Sequence, residues 1–353
     1  MRAGIVGAGI MGQVLAHKLL ETGWQVTVFD KHDGFANCSN AAAGLLTPFS
    51  ELDKADPIIC TLGQKSMSHY WPKIIETLPE TIYFRKLGSL IVHHPKDHAE
   101  WDYFNSKINS VIASEAKQAS GLEPELAKFD HAYYFPNEAH IDCQSVLTNL
   151  RNYLILRGVQ FHLQTEVLHI QPNQLKTNDQ NYEYDFVFDC RGLGAKDQFK
   201  DLRAVRGELI WLHAPEVSVQ RPVRLLHPRY SLYLVPRANS VYIIGASEIE
   251  AEDYSPISVR TSLELLTAAY YLHAGFIEAR IIKTLSHCRP TLANHNPRIK
   301  YTNGLIAVNG LYRHGYLIAP ALAAAIVQRV TASKQECLYP EIWEEYDDYY
   351  IPQ

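Results

Sequence analysis

The first thirty residues alternate between apolar runs and turns in a way that predicts a strand, a helix and a second strand. Residues 3–6 form a short apolar run, which is typical of a buried strand. Apolar residues from Met11 to Leu19 follow helical spacing, and Gly23 is a residue type that commonly ends a helix. A second apolar run covers residues 24–29. The expected product is a parallel βαβ unit.

The same patterns predict a mixture of helices and strands along the rest of the chain. Helical spacing predicts helices at residues 143–157 and 262–273 and an alanine-rich helix that starts at Pro320. Apolar or alternating runs predict strands at residues 89–93, 159–163, 167–170, 185–190, 207–213, 231–236, 241–245 and 305–308. The small residues at 41–44 leave two interpretations open: close approach of the backbone to a flat ligand, or the start of an alanine-rich helix. The acidic, tyrosine-rich residues 341–350 are interpreted as a solvated edge.

A glycine motif lies at the junction between the first strand and the first helix. Gly7 would make the turn, Gly9 would let a pyrophosphate approach the backbone, and Gly12 would let the helix pack on the strand. The N-terminus of that helix would then present free N–H groups to the phosphates. Asp30, at the end of the second strand, would accept hydrogen bonds from the adenosine ribose and repel a 2′-phosphate. The motif therefore predicts a site for NAD or FAD rather than NADP.

Composition limits the classes of protein to which the chain can belong. With 353 residues, 47% of them hydrophobic and 20% charged, it is expected to form two globular domains. The formal net charge of -5 argues against nucleic acid as the main partner. No run of about eighteen apolar residues predicts a membrane span, and the apolar start with its glycine motif predicts no signal peptide. The six cysteines form no C-x-x-C pair, so we expect reduced thiols in a cytoplasmic protein.

The C-terminal part of the chain favours a flavin over NAD. A turn from Gly310 to Gly315 leads into the last predicted helix. A reduced flavin carries negative charge on its N1–C2=O edge, and a helix N-terminus directed there would stabilise it. Taken alone, such a turn is more often an ordinary connection between a strand and a helix.

Several segments, in order along nearly the whole chain, resemble one family of flavoenzymes. They are GAGIMG at residues 7–12, AAAGLL at 41–46, TEVLH at 165–169, VRGE at 205–208, YLVPR at 233–237, GAS at 245–247, RP at 289–290 and GLYRHGYLIAP at 310–320. In these segments the chain resembles the D-amino-acid-oxidase family of FAD enzymes. It is most similar to the glycine oxidases of thiamine biosynthesis and more distantly similar to sarcosine oxidase.

The resemblance implies an α/β fold in which a Rossmann-like FAD-binding domain carries an inserted α+β substrate domain with an antiparallel sheet. The FAD-binding domain would comprise residues 1–84, 139–203 and 284–353, and the substrate domain residues 85–138 and 204–283. FAD is expected to be held non-covalently, because Cys288 is one residue out of register with the cysteine that links the flavin in sarcosine oxidase. The cofactor-binding residues that we expect from the motif and the resemblance are Gly7, Gly9, Ile10, Met11, Gly12, Asp30, Lys31, Cys38, Ser39, Ala43, Gly44, Leu45, Val167, Gly192, Gly310, Leu311, Tyr312, Arg313, His314, Gly315, Tyr316 and Leu317.

The resemblance also implies a catalytic group of three side chains at the substrate. Arg289 corresponds to the arginine that binds the substrate carboxylate, Arg313 to a second substrate-side arginine, and Tyr233 to a tyrosine that helps to hold the carboxylate. A guanidinium matches a carboxylate in bidentate geometry, which a lysine cannot do. Such anchoring would fix the substrate Cα–H over the flavin N5, so that hydride transfer needs no side-chain base. We expect oxidative deamination of glycine, sarcosine or a small D-amino acid, with O2 as the electron acceptor and H2O2 as a product.

Three departures from the family pattern concern the substrate side. Glu248 stands where glycine oxidases have an apolar pocket residue, so it would either select a cationic or hydroxylated side chain or point to solvent. Ser231 replaces a bulkier polar residue, and residues 291–297 differ from the Asp-Gly-x-Pro stretch of the family. Glycine as the preferred substrate is therefore an open question.

Three histidines resemble a metal site only by proximity in the sequence. His93 and His94 are adjacent in a predicted strand, so their side chains point to opposite faces. Together with His98 they are interpreted as solvated, and no metal is expected.

Three other functions stay open at this stage. The first is a dehydrogenase of the same fold that passes electrons to a quinone or a carrier protein. The second is an FAD-dependent oxidoreductase that modifies tRNA, against which the net charge counts. The third is a protein without enzymatic activity that binds a dinucleotide. A homo-oligomer is also left open.

Overall fold

The chain folds into four sheets and seven α-helices within the part that the structure describes. This computed structural model describes residues 1–93, 98–108, 121–129, 132–227, 232–331 and 337–346, and the backbone of residues 114–116. The strands are β1 (Arg2–Val6), β2 (Gln25–Phe29), β3 (Leu45–Leu46), β4 (Phe84–Arg85), β5 (Ser89–His93), β6 (Ser114–Ala116), β7 (Ala132–Phe135), β8 (Ala139–Ile141), β9 (Gln160–His162), β10 (Val167–Gln171), β11 (Gln174–Thr177), β12 (Asn181–Glu183), β13 (Phe186–Asp189), β14 (Arg203–His213), β15 (Val223–Leu226), β16 (Leu232–Pro236), β17 (Val241–Gly245), β18 (Arg280–Thr291), β19 (Arg298–Thr302), β20 (Leu305–Asn309) and β21 (Trp343–Glu345). The helices are α1 (Ile10–Glu21), α2 (Pro57–Lys65), α3 (Trp71–Thr77), α4 (His98–Ile108), α5 (Cys143–Leu156), α6 (Val259–Leu272) and α7 (Gly315–Thr331).

The first sheet is mainly parallel and contains the predicted βαβ unit. Its strand order is β21-β19-β20-β13-β1-β2-β9, and β1 pairs in parallel with both β2 and β13. Apolar residues of α1, α5 and α7 form one core cluster with these strands. Strands that are buried in this way read as continuous apolar runs, which is why β1 and β2 were visible in the sequence.

The second sheet is mainly antiparallel and has a core of its own. Its strand order is β18-β14-β17-β16-β15-β5-β7-β6, and β5 pairs in parallel with β15. Helix α6 shares an apolar cluster with this sheet. The long strands β14 and β18 pair along their whole length, with Val205 opposite Arg289. The strand β18 was not predicted, because its solvent-facing first half lacks an apolar pattern.

The two sheets are built from alternating parts of the chain. Strands of the first sheet come from residues 2–29, 160–189 and 298–345, and strands of the second come from residues 89–135 and 203–291. The expected order of segments has the same alternation. The domain boundaries themselves stay predictions, and β18 runs without a break across the boundary that was placed between residues 283 and 284.

The last helix begins earlier than the sequence suggested. Helix α7 starts at Gly315, and Pro320 lies inside it, so the prediction that the helix starts at Pro320 is wrong. A proline has no N–H to donate to the carbonyl four residues earlier. That carbonyl belongs to Tyr316, and the indole Nε1 of Trp71 donates to it at 2.8 Å. A contact that is distant in sequence therefore satisfies the group that Pro320 leaves free, which no local pattern reveals.

Two other segments differ from their sequence interpretation. Residues 38–41 form turns followed by the short strand β3, so the helical interpretation of residues 41–44 is wrong. The C-terminal segment adds the edge strand β21, parallel to β19, and is not only a solvated edge. Tyr346 is half-buried and donates a hydrogen bond to Gln198 at 2.9 Å. Residues 347–350 of the predicted tail lie outside the described residues.

Candidate functional site

The glycine turn after β1 has no room for larger residues. Gly7 has a φ of +109°, which favours glycine. A Cβ at Gly12 would lie 1.9 Å from the carbonyl oxygen of Gly7, and a Cβ at Gly7 would lie 2.4 Å from that of Cys190. The start of α1 is therefore in contact with the backbone at the ends of β1 and β13.

The N-terminus of α1 has donors available and lies near the acid that was predicted to bind ribose. The N-cap residue Gly9 makes no side-chain capping bond, so the first N–H groups of the helix lack an internal acceptor. One of them, from Ile10, donates to the hydroxyl of Ser39 at 3.1 Å. The carboxylate of Asp30 accepts from the N–H of Ala8 at 2.8 Å. The glycine turn, the helix start and the acid are thus one cluster.

Two further segments with predicted cofactor residues join this region through the backbone. The N–H of Thr165 donates to the carbonyl of Asp30 at 2.9 Å, so the chain reaches this acid just before Val167. The carbonyl of Gly192 accepts a hydrogen bond from the side-chain amide of Asn309 at 2.8 Å. Lys31 is exposed.

A cavity lined by strands of the second sheet, the segment around β3 and the start of α7 contains many of the predicted residues. The empty space inside it, together with the open solvent at its mouth, is about 1340 Å³. The predicted residues that line it are Ile10, Cys38, Ser39, Ala43, Gly44, Leu45, Tyr233, Arg289, Tyr312, Arg313, His314, Gly315, Tyr316 and Leu317. The predicted residues outside its lining are Gly7, Gly9, Met11, Gly12, Asp30, Lys31, Val167, Gly192, Gly310 and Leu311. The lining includes the N-terminus of α7 and the small residues 41–45.

Arg237 holds the backbone of the wall of small residues, which comprises residues 41–44 of the cavity lining. The sequence analysis did not identify this role. Its guanidinium donates to the carbonyl oxygens of Ala43 and Ile141, the second at 2.9 Å, and to that of Pro236 at 3.0 Å. Burial lowers the pKa of Arg237. A Cβ at Gly44 would lie 1.9 Å from the carbonyl oxygen of Ile141. The wall is therefore fixed by carbonyl groups that a buried cation satisfies.

Hydrogen bonds and apolar packing fix the start of α7 at the cavity. The hydroxyl of Tyr316 lies 3.1 Å from the carbonyl oxygens of Ser39 and Cys143. Burial raises the pKa of Tyr316, so its hydroxyl stays a donor. Leu317 packs against Gly63 of α2, where a Cβ would approach it to 2.9 Å. These contacts place the N-terminal turn of α7 next to the small-residue wall.

Arg289 lies in the cavity without a carboxylate partner. Its guanidinium covers Gly207, and a Cβ there would lie 2.2 Å from Nη2. Nη1 donates to the carbonyl of Ser247 at 3.1 Å, and no carboxylate of the described residues pairs with this arginine. An unpaired, half-buried guanidinium in a cavity is suited to an anionic ligand.

Tyr233 provides a second free donor in the same cavity. Its hydroxyl has no hydrogen-bond partner among the residues that the structure describes. Burial raises its pKa, although the Arg289 guanidinium lowers it, so the hydroxyl keeps its proton at neutral pH. Arg289 also lies near the ring of Tyr312, with its Cζ 5.9 Å from the ring centroid. Among the described residues, the cavity therefore holds a guanidinium without a carboxylate partner and a hydroxyl without a hydrogen-bond partner.

Arg313, in contrast, is already paired with two carboxylates. Its Nε lies 2.8 Å from Oε2 of Glu51, although the N–H does not point at that oxygen, and its Nη1 donates to Glu248. Burial raises the pKa of Glu51, but the Arg313 guanidinium and the other positive groups nearby together outweigh it and lower the pKa to about 2. Burial lowers the pKa of His314 to about 4, so this neighbour is neutral at pH 7. Arg313 lines the cavity as predicted, but with its charge compensated.

Glu138 positions the loop that carries Glu51, and the sequence analysis missed it. Its buried carboxyl group accepts from the N–H groups of Phe49 at 2.7 Å and Ser50 at 2.8 Å, and from the hydroxyl of Ser89. Burial raises the pKa of Glu138 to about 7, although these donors lower it. This carboxyl group therefore changes charge near neutral pH while it holds the loop.

Replacing Glu138 by glutamine is expected to make stability less dependent on pH. Between the ordinary pKa of 4.5 and about 7, folded Glu138 keeps a proton that the unfolded chain has lost. The wild type therefore loses stability as pH rises through this window, on the order of 2–3 kcal/mol, and Glu138→Gln does not. Denaturant unfolding at pH 5 and pH 8 measures the difference. The exposed Glu80→Gln serves as control, and equal pH dependence of all three proteins would contradict the assignment.

Replacing Gly207 by alanine is expected to displace the guanidinium of Arg289. The new methyl group would overlap Nη2, and only the side chain of Arg289 can move away. Loss of one charged hydrogen bond predicts a roughly tenfold rise in KM for a carboxylate substrate. Steady-state kinetics measures this, with Gly121→Ala as control because no atom of the described residues lies within 4 Å of its Cβ position. An unchanged KM for Gly207→Ala would show that the guanidinium does not need this position.

Two further candidates from the sequence, Cys288 and His93, lie outside the cavity. Cys288 is buried, with its Sγ 3.4 Å from the carbonyl oxygen of Asp253, and it does not line the cavity. His93 is buried and stacks on Trp101 at 4.4 Å, so its interpretation as solvated is wrong. His94 and Ser231 lie outside the described residues.

The described residues contain neither a candidate metal site nor a helix that could span a membrane. No group of three His, Cys, Asp or Glu side chains in the described ranges could hold a metal ion. Within those ranges, no helix combines the length and apolar content needed to cross a bilayer.

The chain matches a known family over most of its length. The family model described as DAO, FAD dependent oxidoreductase, matches residues 2–329. A putative thiamine biosynthesis oxidoreductase ThiO of Rhizobium etli is 35% identical over 332 residues, which cover 94% of this chain and 96% of that protein. The glycine oxidase of Geobacillus kaustophilus is 24% identical over 355 residues, with 92% of each chain covered.

A solved structure shows the same fold. The crystal structure of glycine oxidase from Geobacillus kaustophilus superposes with a TM-score of 0.86 and covers 97% of this chain and 98% of that chain, at 20% sequence identity. The predicted α/β fold, with a Rossmann-like part and an antiparallel-sheet part, is confirmed. The predicted family is also confirmed.

The residues of the glycine turn and cavity fit FAD as the cofactor. The turn at Gly7 leaves no space for a Cβ, and the uncapped start of α1 offers N–H groups to a pyrophosphate. Residues 41–45 and the start of α7 line the cavity together with Ile10, which lies at the start of α1. The matched family uses FAD, which confirms the predicted cofactor. The chain therefore belongs to the DAO family of FAD-dependent oxidoreductases.

Proposed function

We propose that this protein oxidises a small amino acid or amine, with glycine as the first candidate, and passes the electrons to O2. The observation that carries the proposal is the pair of free donors in the cavity. Arg289 has no carboxylate partner among the described residues, and the hydroxyl of Tyr233 has no hydrogen-bond partner there. A carboxylate fits both, since a guanidinium and a hydroxyl can donate to its two oxygens.

Arg289 and Tyr233 would bind and orient the substrate. The guanidinium is pinned by the carbonyl of Ser247 and by its contact with Gly207, so its remaining N–H groups have a defined direction. A carboxylate held there leaves the substrate little freedom, and such positioning contributes several kcal/mol to catalysis, roughly 7–11 in favourable cases. Bound FAD would supply the two-electron redox chemistry, namely acceptance of the hydride from the substrate Cα–H and transfer of two electrons to O2, which would give H2O2.

No side chain of the cavity is needed as a general base. The reacting amine is neutral, and loss of a hydride from Cα leaves an iminium ion. Water hydrolyses this ion to a keto acid and ammonium, which can return one proton to solvent, and the reduction of O2 to H2O2 takes up one proton from solvent. Tyr233 keeps its proton because burial raises its pKa. Glu51 is paired with Arg313 at 2.8 Å. These groups hold charge and orientation instead of moving the proton.

Other residues would hold the cofactor. The first N–H groups of α1 would bind the pyrophosphate, Asp30 the ribose, and the first turn of α7 the isoalloxazine. We propose that the remaining predicted positions also contact FAD. They are Gly7, Gly9, Ile10, Met11, Gly12, Lys31, Cys38, Ser39, Ala43, Gly44, Leu45, Val167, Gly192 and Gly310 to Leu317. Cys288, outside the cavity lining, supports non-covalent binding.

An anaerobic substrate screen tests this function. The purified flavoprotein is mixed with glycine, sarcosine and small D-amino acids, and the visible absorbance of the flavin is followed. Bleaching by at least one compound, with H2O2 formed in aerated buffer without added acceptor, is the expected result. Bleaching without H2O2 would identify a dehydrogenase that uses a quinone or carrier. No bleaching by any amine or amino acid would show that the proposal is wrong.

We further propose that the imino acid serves thiazole formation in thiamine biosynthesis. The support is the name of the Rhizobium etli relative, at 35% identity. A bacterial strain that needs thiamine because it lacks this step should grow without thiamine when it carries the gene. Failure of active enzyme to restore growth would separate the protein from this pathway.

A further inference from the structure

We propose that Glu248, with Glu51, restricts the cavity to substrates with one carboxylate and disfavours substrates with a second one. This inference rests on the proposed function and names its substrate class. It concerns the charges that face a substrate after its first carboxylate has bound to Arg289.

The cavity has a single guanidinium that is open to a carboxylate. Three arginines line it: Arg224, Arg289 and Arg313. Arg224 forms a two-point ion pair with Asp53 at 2.7 and 2.6 Å. Arg313 is paired with two acids, and Arg289 is paired with none among the described residues. One carboxylate can therefore be accommodated without breaking an ion pair of the protein.

The two acids that occupy Arg313 lie next to the open position. Tyr312 lies close to both arginines, with its ring centroid 5.9 Å from Cζ of Arg289 and 5.4 Å from Cζ of Arg313. Glu248 directly follows Ser247, whose carbonyl accepts from Arg289. A substrate that is anchored at Arg289 and extends past the ring of Tyr312 would thus meet the carboxylates of Glu51 and Glu248.

Both acids are charged at neutral pH. Burial raises the pKa of Glu248, but Arg313, Lys54 and Arg289 together outweigh it and keep that pKa below its ordinary value, and the pKa of Glu51 is lowered to about 2. The exposed Lys54, which does not line the cavity, lowers the pKa of both acids. A second substrate carboxylate would be repelled or would have to displace one acid from Arg313, whereas a methyl, hydroxyl or ammonium group would not.

Glu248→Gln tests this selectivity. The glutamine keeps the size of the side chain and removes the charge that neutralises Nη1 of Arg313. Two substrate pairs differ by one carboxylate: sarcosine with iminodiacetate, and D-alanine with D-aspartate. The ratio of kcat/KM for the dicarboxylate to that for the monocarboxylate is expected to rise about tenfold in Glu248→Gln. Glu250→Gln, whose carboxylate pairs with Arg203 outside the cavity, should leave the ratio unchanged.

A binding measurement separates this inference from the proposed function. Acetate and malonate, which cannot be oxidised as amines, are titrated into the oxidised holoenzyme while the flavin spectrum is recorded. Wild type should bind acetate at least about tenfold more tightly than malonate, and Glu248→Gln should reduce this preference. If no amino acid is oxidised but this preference is found, the proposed function fails and the selectivity stands. Equal affinities in wild type, or an unchanged ratio in Glu248→Gln, would overturn the inference.

Discussion

Replacing Arg289 by lysine is expected to lower kcat/KM for an amino-acid substrate by about 10- to 100-fold while FAD stays bound. The loss of one charged hydrogen bond costs about 1.5–3 kcal/mol, and an ammonium cannot form the bidentate pair. Arg289 carries no protein carboxylate among the described residues, so its removal leaves no buried acid unpaired. The loss should appear mainly in KM, since the interaction is made with bound substrate and transition state alike.

A matched control lies on the same strand. Arg280 is exposed on β18 and pairs with Glu278 at 3.7 Å, so Arg280→Lys should have wild-type kinetics. Steady-state kinetics and the ratio of flavin to protein absorbance are measured for both variants. Unchanged kinetics in Arg289→Lys would remove this arginine from the substrate site.

Replacing Gly12 by alanine is expected to produce an unstable protein with little bound FAD. The new Cβ would lie 1.9 Å from the carbonyl oxygen of Gly7. Because the backbone fixes the position of the Cβ and the oxygen is itself a backbone atom, no flexible side chain can move away. Overpacking of this kind costs about 1–3 kcal/mol or more and would push α1 away from β1. Since the same turn would hold the pyrophosphate, affinity for FAD should fall together with stability.

The FAD content of the purified protein and its melting temperature measure this effect. A loss of more than half of the FAD and a fall in Tm of roughly 1–4 °C or more are expected for Gly12→Ala. Gly121→Ala adds the same methyl group where no atom of the described residues lies within 4 Å, and it should match wild type. Full FAD content and an unchanged Tm in Gly12→Ala would contradict the assigned role of this turn.

Sequence patterns predicted the parts of the fold whose pattern is local. The βαβ unit was predictable because buried parallel strands read as apolar runs and Gly7 and Gly12 mark the turn. Helix α2 was missed although Asp56, which accepts from the N–H of Ile58, and Pro57 form an ordinary helix start. That start could have been recognised in the sequence.

Other parts depended on contacts between distant residues and had no local pattern. The start of α7 was misplaced because Trp71, far away in sequence, satisfies the carbonyl that Pro320 leaves free. Strand β18 has exposed residues in its first half, so it lacks the alternation that marks β-strands.

The candidate site divides in the same way. Resemblance to the family located Arg289, Tyr233 and Arg313, and the structure brings all three into one cavity. The pairing of Arg313 with two acids was not foreseen, because Glu51 reaches it from a distant loop. Glu138 likewise acts on residues almost ninety positions away, for example on Phe49 at a sequence separation of 89. Sequence spacing contains no information about such contacts.

The most direct test of the account is a titration of the oxidised holoenzyme with acetate, followed by the visible flavin spectrum. Arg289 has no carboxylate partner among the described residues and lines the cavity that is proposed to hold the flavin. We expect a saturable spectral change in wild type that requires about 10- to 100-fold more acetate in Arg289→Lys. Protein that stays colourless after incubation with excess FAD, or an identical response to acetate in wild type and variant, would contradict it.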